Sequence, residues 1–326
     1  MLTGKRFLLC SGLTATIAAR LFAAESSLYR IEPAKILGAE NCAECHASMV
    51  EAWKLTHHFD TFNTMHRRPE AAEISSKLGV RRIKNESLCI KCHYTFQGAA
   101  DSAKVISGIS CESCHNGGAD WNKIHSNKVD PDRLKKAEKL GMLRPSNFYH
   151  VAANCFSCHT VPEEKLVNEG GHTPGSDFEL AAWSQGEVRH NMQQSSGKKN
   201  EESPVARKRM FYVVGRALDL EYGLRGLAKA TKEGRYSEAM IKRIDSAKAK
   251  LKELHTATQA GEIKELLAIG DGAALKVNQE SELLKAADKV SEITAKFAAS
   301  NDGSKLTGVD AMLPVAGNYK GKVYQP

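Results

Sequence analysis

The sequence predicts a mainly α protein in two parts, a loop-rich first part and a helical bundle after it. Residues 25–200 contain four Cys-x-x-Cys-His motifs and six of the nine prolines, so only short helical pieces are expected around each motif. Residues 201–326 instead show apolar residues at helical spacing, and their polar faces are rich in Lys, Glu and Ala. We place the boundary between the two parts at residue 200.

The four motifs share one pattern, in which two cysteines stand three positions apart and a histidine follows the second. They contain every cysteine of the chain except Cys10. This pattern is typical of c-type haem attachment, in which the thiols form thioethers to the haem and the histidine binds the iron. The predicted attachment residues are Cys42, Cys45, Cys89, Cys92, Cys111, Cys114, Cys155 and Cys158, and the predicted proximal ligands are His46, His93, His115 and His159. Structural zinc is the alternative, but zinc sites do not require a histidine after every second cysteine. The sequence therefore predicts four haem c groups with iron.

Residues 1–24 have the pattern of a secretory signal peptide. Lys5 and Arg6 precede an apolar stretch over residues 7–19, and Ala23 and Ala24 provide small residues for cleavage. The apolar stretch is too short to span a bilayer comfortably. Because covalent haem attachment takes place outside the cytoplasm, we expect a periplasmic protein.

The charge of the chain does not predict a nucleic-acid partner. The formal net charge is +8, and removal of residues 1–24 with Lys5, Arg6 and Arg20 reduces it to +5. The propionates of four haems would bring the loaded protein close to neutrality. The chain also lacks a basic patch interleaved with aromatic residues, which single-strand binders use.

Four amphipathic helices are predicted in residues 201–326. The first begins at Pro204 after an N-cap at Ser203, and its apolar face extends to Leu227. The second covers residues 241–254, the third covers residues 263–269, and the fourth covers residues 283–297. Apolar stripes of this kind are usually packing faces, so we expect a hairpin or bundle that covers the first part or pairs with a second copy.

Eight histidines outside the motifs are candidates for the sixth ligand of each iron. They are His57, His58, His66, His125, His150, His172, His190 and His255. His58 follows His46 by twelve residues in a segment that looks helical, and twelve helical residues advance about 18 Å. The two axial nitrogens of one haem are only about 4 Å apart, so His58 cannot complete the haem of His46. As a ligand it serves a neighbouring haem, unless His57 takes that role.

The spacing of these residues resembles the tetrahaem cytochrome c-554 family. The likeness includes Trp53, Lys54 and Thr56 before His58, the glycine pair after the third motif, and His125. It continues at His150 and at Thr173-Pro174, and so covers most of residues 36–190. The resemblance implies a mainly helical periplasmic fold that carries electrons. Residues 201–326 have no counterpart in it.

The resemblance also implies specific ligand pairs. His125 would complete the first haem with His46, His58 would complete the third haem with His115, and His190 would complete the fourth haem with His159. In the family the second haem is five-coordinate, and a Thr-Pro pair lines its open face. Here His172 precedes Thr173-Pro174, so we expect it opposite His93, as the sixth ligand or as a distal hydrogen-bonding group. His150 is left as an alternative axial ligand or a propionate partner.

Three functions remain open at the level of sequence. The leading interpretation is an electron carrier between redox partner proteins. The second is an enzyme that acts on a small nitrogen oxide or hydroxylamine at the second haem. The third is a haem-bearing subunit of a larger complex or filament that self-associates through residues 201–326.

The prediction of four covalently bound haems can be tested by the mass of the mature protein. Denaturing mass spectrometry of the mature protein, after expression with full maturation machinery, should show the chain plus four haem masses, because thioether bonds survive denaturation. A matched variant with Cys42→Ala and Cys45→Ala should lose one haem mass. A mature wild-type chain with fewer than four haems would contradict the assignment.

Overall fold

A computed structural model describes residues 32–99 and 102–326 and shows a mainly helical protein, as predicted. The proposed signal peptide, residues 1–24, lies outside the described residues. Within the part of the chain that the model describes, no helix is both long enough and apolar enough to cross a bilayer.

The first part consists of ten α-helices of moderate or short length among the described residues, joined by loops and 3-10 turns. They are α1 (Ala39–Lys54), α2 (His57–Thr64), α3 (Pro69–Lys77), α4 (Ser87–His93), α5 (Cys111–His115), α6 (Asn122–Ser126), α7 (Arg133–Lys139), α8 (Phe148–His159), α9 (Glu164–Asn168) and α10 (Leu180–Ser184). A small antiparallel hairpin, which the sequence analysis did not predict, joins β1 (Thr95–Gln97) to β2 (Lys104–Ser107). Because the helices are short, the loops between them determine where each motif lies.

The sequence suggested a continuous helix between the first motif and His58. The structure instead shows two helices there. Helix α1 ends at Lys54, and α2 begins at His57. Thr56 separates them: its hydroxyl accepts a hydrogen bond from the Phe59 amide at 3.2 Å and donates one to the Trp53 carbonyl at 2.7 Å. Threonine is a favourable N-cap residue, so this side chain starts a new helix. His58 therefore lies in the first turn of α2.

The second part has the four predicted helices. They are α11 (Val205–Ala228), α12 (Arg235–Thr258), α13 (Gly261–Gly272) and α14 (Glu280–Ser300). Pro204 occupies the N-cap position instead of the first helical position, and α13 continues through Gly270 to Gly272. The predicted apolar faces are buried, with Leu227, Ile244 and Val290 fully inaccessible.

One hydrophobic core extends across residue 200. Helix α8 carries the fourth motif, and its Phe148 and Phe156 belong to the same core as the bundle helices. The Phe156 ring meets Phe178 edge-on at 5.2 Å and lies 6.0 Å from the Tyr222 ring of α11. The apolar faces of the bundle therefore pack against the haem-motif part. The division of the chain at residue 200 remains a prediction.

A buried polar network joins α8 to the bundle. The Tyr149 hydroxyl donates to Glu221 at 2.6 Å, and Arg225 donates to the same carboxylate at 2.9 Å. Arg225 also pairs with Asp288 of α14 at 2.9 Å. Burial raises the pKa of Glu221, with Arg225 opposing the effect. Buried charges are tolerated only when paired in this way, so the network fixes how α8, α11 and α14 fit together.

The C-terminal tail returns to the first part and packs on the segment after α10. The Lys320 amide donates to the Ala182 carbonyl at 3.1 Å, and the Glu187 amide donates to the Lys320 carbonyl at 2.8 Å. A side chain at Gly186 would clash with the Lys320 carbonyl, so glycine permits this close approach. The tail thereby covers the loop that leads to His190.

Truncation of the shared core is expected to be costly. Phe156→Ala should lower the free energy of unfolding by about 3–5 kcal/mol, because a fully buried ring is replaced by a cavity. Val315→Ala is the control, since Val315 is 66% exposed and its loss should change stability by less than about 0.5 kcal/mol. Denaturant unfolding of the haem-loaded protein, followed by far-UV circular dichroism, measures both. Equal stabilities of the two variants would contradict a shared core.

Candidate haem-binding sites

Helical geometry places the three functional side chains of each motif on one face. Residues at positions i, i+3 and i+4 of a helix are neighbours on its surface, and these are the positions of the two cysteines and the histidine. Helices α4, α5 and α8 each end at the motif histidine. In α1 the backbone departs from helical geometry at His46, with φ −119° and ψ 36°. Each motif can therefore present two thiols and an imidazole to one haem.

Every motif histidine faces a second histidine across a gap of nearly constant width. The ring centroids are 6.3 Å apart for His46 and His125, 6.3 Å for His93 and His172, 6.3 Å for His115 and His190, and 6.2 Å for His159 and His58. The interplanar angles differ widely, from 18° to 90°. The separation is thus constant while the ring orientation varies.

This separation fits one metal ion between two imidazoles. Ring nitrogens bind transition metals at about 2 Å, and each ring centroid lies about 1 Å behind its nitrogen, so axial ligands on opposite sides of one iron have centroids about 6 Å apart. Directly stacked rings lie closer, because aromatic contacts begin at about 4.5 Å. The four pairs therefore fit bis-histidine haem ligation.

Two of the ligand pairs implied by the family resemblance are exchanged in the structure. His58 lies against His159 instead of His115, and His190 lies against His115 instead of His159. His58 does lie opposite a motif histidine other than His46, as the distance argument requires. The exchange arises because α2 starts anew after Thr56, and because the covered loop after α10 brings His190 to α5. The His46–His125 and His93–His172 placements agree with the sequence interpretation.

In five of these histidines the Nδ1 atom takes part in a hydrogen bond. The other ring nitrogen, Nε2, is therefore left free. The acceptors are Leu143 O for His115 at 2.7 Å, Asn122 O for His125 at 2.5 Å, Thr173 O for His172 at 2.7 Å, Val188 O for His190 at 2.8 Å, and the Ser176 hydroxyl for His159 at 3.3 Å. Metal-binding histidines commonly donate the second ring N–H to such an acceptor, which fixes the tautomer and orients the ring. The same arrangement here leaves Nε2 available to iron.

Burial keeps the motif imidazoles in the neutral form that binds metal. It is the main cause that lowers the pKa of His93 to about 4, with His172 adding to the effect. Burial, then His58, lowers the pKa of His159 to about 4. Burial also lowers the pKa of His46, His58 and His115. Neutral imidazole is the ligand form, so these groups are ready to bind iron at neutral pH.

Cysteines of different motifs meet in pairs. Cys42 lies beside Cys111, whose side chain raises the pKa of Cys42, and Cys92 lies beside Cys158, whose side chain raises the pKa of Cys92. Burial, and next the neighbouring Cys158, raises the pKa of Cys114 to about 11. The first motif therefore adjoins the third, the third adjoins the fourth, and the fourth adjoins the second.

The donor geometry does not fit a closed zinc site. Among residues 32–99 and 102–326, no group of three or more His, Cys, Asp or Glu side chains is arranged to hold one metal ion. Structural zinc takes four such ligands. The donors here come as histidine pairs with thiols at the side, which fits a haem held by two thioethers and two axial imidazoles.

Glu112, inside the third motif, is an anchoring residue that the sequence analysis missed. Its buried carboxylate accepts hydrogen bonds from the amides of Leu37, Gly38 and Gly118 at 2.7–2.9 Å. These bonds tie the start of α1 to the third motif. The sequence did contain a signal for this role. Glu112 is a carboxylate between the two cysteines of the third motif, among small and apolar residues.

Glu187 is a second anchor that was missed. Its carboxylate is buried, and it meets the Nδ1 atom of exposed His57 at 2.6 Å. The contact joins the start of α2 to the loop of His190. His57 thus orients the segment that carries His58, and its ring does not face a motif histidine.

The remaining histidines do not take part in such pairs. The His150 ring lies edge-on to Tyr149 at 5.2 Å, and burial lowers its pKa. His66 and His255 each bury an Nδ1 atom for which no hydrogen-bond partner is found. The structure therefore provides one distal histidine for each motif and leaves His150 outside the four pairs.

Comparison with known proteins identifies a family that part of the chain resembles. Residues 41–116 match the family model for cytochrome c554 and c-prime. The matched segment contains the first three motifs and ends directly after His115, so the fourth motif and the bundle lie outside it. No curated protein and no solved structure matches the chain. The family match supports a c-type cytochrome with haem c and a role in electron transfer.

The exchanged pairing can be tested by nuclear magnetic resonance of the reduced, diamagnetic protein. The His58 ring protons should show Overhauser effects to the haem whose thioether protons connect to Cys155 and Cys158, since His58 faces His159 at 6.2 Å. The His190 ring should show them to the haem of Cys111 and Cys114. Connection of His58 to the haem of the third motif would contradict the structural pairing.

Proposed function

We propose that this chain, a c554-type cytochrome by the match of its residues 41–116, is a periplasmic tetrahaem protein that carries electrons between redox partners. The observation that carries the proposal is the set of four histidine pairs separated by 6.2–6.3 Å. When bound, each haem supplies an iron that alternates between ferric and ferrous states. The protein itself forms no bond to a substrate in this proposal.

The proposed ligand set assigns two histidines to each iron. The pairs are His46 with His125, His93 with His172, His115 with His190, and His159 with His58. The eight motif cysteines would hold the haems covalently. Carbonyl acceptors at Nδ1 orient four of these rings and raise their basicity, which favours the ferric state. The four motifs, together with their distal histidine partners, support the proposal of four haem c groups.

The order of the motifs supports an electron path through the protein. Hydrogen bonds link the start of α1 to Glu112 of the third motif, Asn154 beside the fourth motif to Cys114 of the third, and Cys158 of the fourth to Lys91 of the second. Electrons entering at the first or the second haem would therefore cross the protein through the two inner haems. The two outer sites would then serve two different redox partner proteins.

The position of His172 favours electron transfer over catalysis at the second haem. An enzyme acting on a small nitrogen oxide needs an open iron position, whereas the His172 ring lies 6.3 Å from the His93 ring. Its Nδ1 atom donates to the Thr173 carbonyl at 2.7 Å, which points to a ligand and not to a proton donor. We therefore propose that all four haems are six-coordinate.

Residues 201–326 support the haem core in this proposal. Their apolar faces pack against α8, Phe178 and Leu180 as well as against one another. Faces that are covered in this way do not favour self-association into a filament through the same stripes. Export to the periplasm rests on residues 1–24 alone and is tested by N-terminal sequencing of the mature protein.

The coordination proposal predicts a fully low-spin protein. Electron paramagnetic resonance of the oxidised wild type at neutral pH should show only low-spin haem, and the reduced protein should not bind nitric oxide. His172→Ala should create one high-spin haem that binds nitric oxide when reduced. His150→Ala is the control and should leave the spectrum unchanged. A high-spin haem in the wild type would contradict the proposal and favour the enzyme.

A further inference from the structure

The third and fourth haem sites differ in the hydrogen bonds that their axial histidines make. In the third site, His115 and His190 both donate to backbone carbonyls, at 2.7 Å and 2.8 Å. In the fourth site, the Nδ1 atom of His159 lies 3.3 Å from the exposed hydroxyl of Ser176. A strong acceptor at Nδ1 makes an imidazole more basic and stabilises ferric iron, so the third site is expected to have the lower reduction potential.

A cation from the bundle also reaches the fourth site. Arg243 of α12 donates to the Ser176 carbonyl at 2.8 Å, and its side chain is only 13% exposed. Gly175 lies directly beneath it with φ +92°, and a side chain there would meet the guanidinium at 2.9 Å. The loop geometry thus permits a positive charge to lie beside the fourth proximal ligand.

Asp219 holds this guanidinium in place from the side of the bundle. It accepts from Arg243 at 2.7 Å and from Arg216 at 3.0 Å, and Arg216 lies 3.4 Å from Glu179. Arg243 is the member of this network that bonds the His159 loop. Arg243 thus bonds the loop of His159 directly, and Asp219, which partly offsets its charge, bonds to Arg243.

We propose that Arg243 raises the reduction potential of the fourth haem above that of the third, so that the C-terminal bundle sets the direction of electron transfer. A positive charge near a haem stabilises the ferrous state, which carries one positive charge fewer than the ferric state. With haems bound at both sites, one electron would pass from the third site, which would be oxidised from ferrous to ferric, to the fourth site, which would be reduced from ferric to ferrous. Arg243 acts through the His159 loop and is a positioning and tuning residue. The inference rests on the proposed bis-histidine coordination.

The experiment is a potentiometric titration of the loaded protein, followed by optical and paramagnetic spectra. The component that becomes high-spin in His58→Ala identifies the fourth haem. Arg243→Gln should lower its midpoint potential. At the wild-type midpoint, the ratio of reduced to oxidised fourth haem should fall about tenfold, which is about 59 mV for one electron. Arg243→Lys keeps the charge and should restore most of the potential.

Two further variants separate charge from structural disturbance. Asp219→Asn removes the offsetting negative charge and should raise the potential of the fourth haem, opposite in sign to Arg243→Gln. Lys248→Gln removes a positive charge from the same helix, where Lys248 pairs with Asp271 at 2.9 Å, and should leave the fourth haem unchanged. If Arg243→Gln does not mature, Arg243→Lys and Asp219→Asn decide the question.

The outcomes distinguish this inference from the proposed function. Four low-spin haems whose potentials do not respond to Arg243→Gln, or shifts of equal sign in Arg243→Gln and Asp219→Asn, would overturn the inference alone. Fewer than four haems, or a high-spin haem in the wild type, would overturn the coordination proposal before the role of Arg243 is tested.

Discussion

The structure depends on one geometric requirement, that two imidazoles from distant chain segments face each other across about 6 Å. The four histidine pairs satisfy it with separations of 6.2–6.3 Å although their interplanar angles vary widely. Each distal histidine comes from a short helix or a loop, where backbone position is set by neighbouring segments instead of by a long helix. The first part of the protein is therefore organised around these four gaps, and its short elements serve to place the rings.

Buried carboxylates maintain these placements. Glu112 accepts hydrogen bonds from three backbone amides and thereby joins the start of α1 to the third motif. Glu187 joins His57, at the start of α2, to the loop that leads to His190, and the C-terminal tail covers that loop. A buried carboxylate is costly unless its oxygens are paired, so such groups hold segments at defined positions. Glu187 lies between the segments of two distal histidines, His58 and His190, and Glu112 lies between the first and third motifs.

The bundle contributes to the same arrangement from outside. Helix α8 carries the fourth motif at one end and packs its aromatic face into the bundle, so the fourth site is joined directly to α11 and α12. Through Arg243 and Asp219, the bundle also brings charge to the loop beside His159. The part of the chain that lies outside the family match is thus in contact with one of the inner sites of the proposed electron path. The position of the bundle suits two roles, which are to support the fourth haem site and to tune its reduction potential.

The sequence alone determined the features that depend on local spacing. The motif cysteines and histidines share one helical face by periodicity, and the four bundle helices follow from apolar residues at helical spacing. The expectation that His58 serves an iron other than that of His46 agrees with its place opposite His159, but the continuous helix from which it was argued is broken at Thr56. Tertiary structure alone decided that His58 faces His159 and His190 faces His115, because distal pairing depends on how Thr56 restarts the helix and how the tail covers the His190 loop. The sequence left open whether the bundle covers the first part or pairs with a second copy. Tertiary structure decided this, because Phe156 of α8 packs both on Phe178 of its own part and on Tyr222 of the bundle.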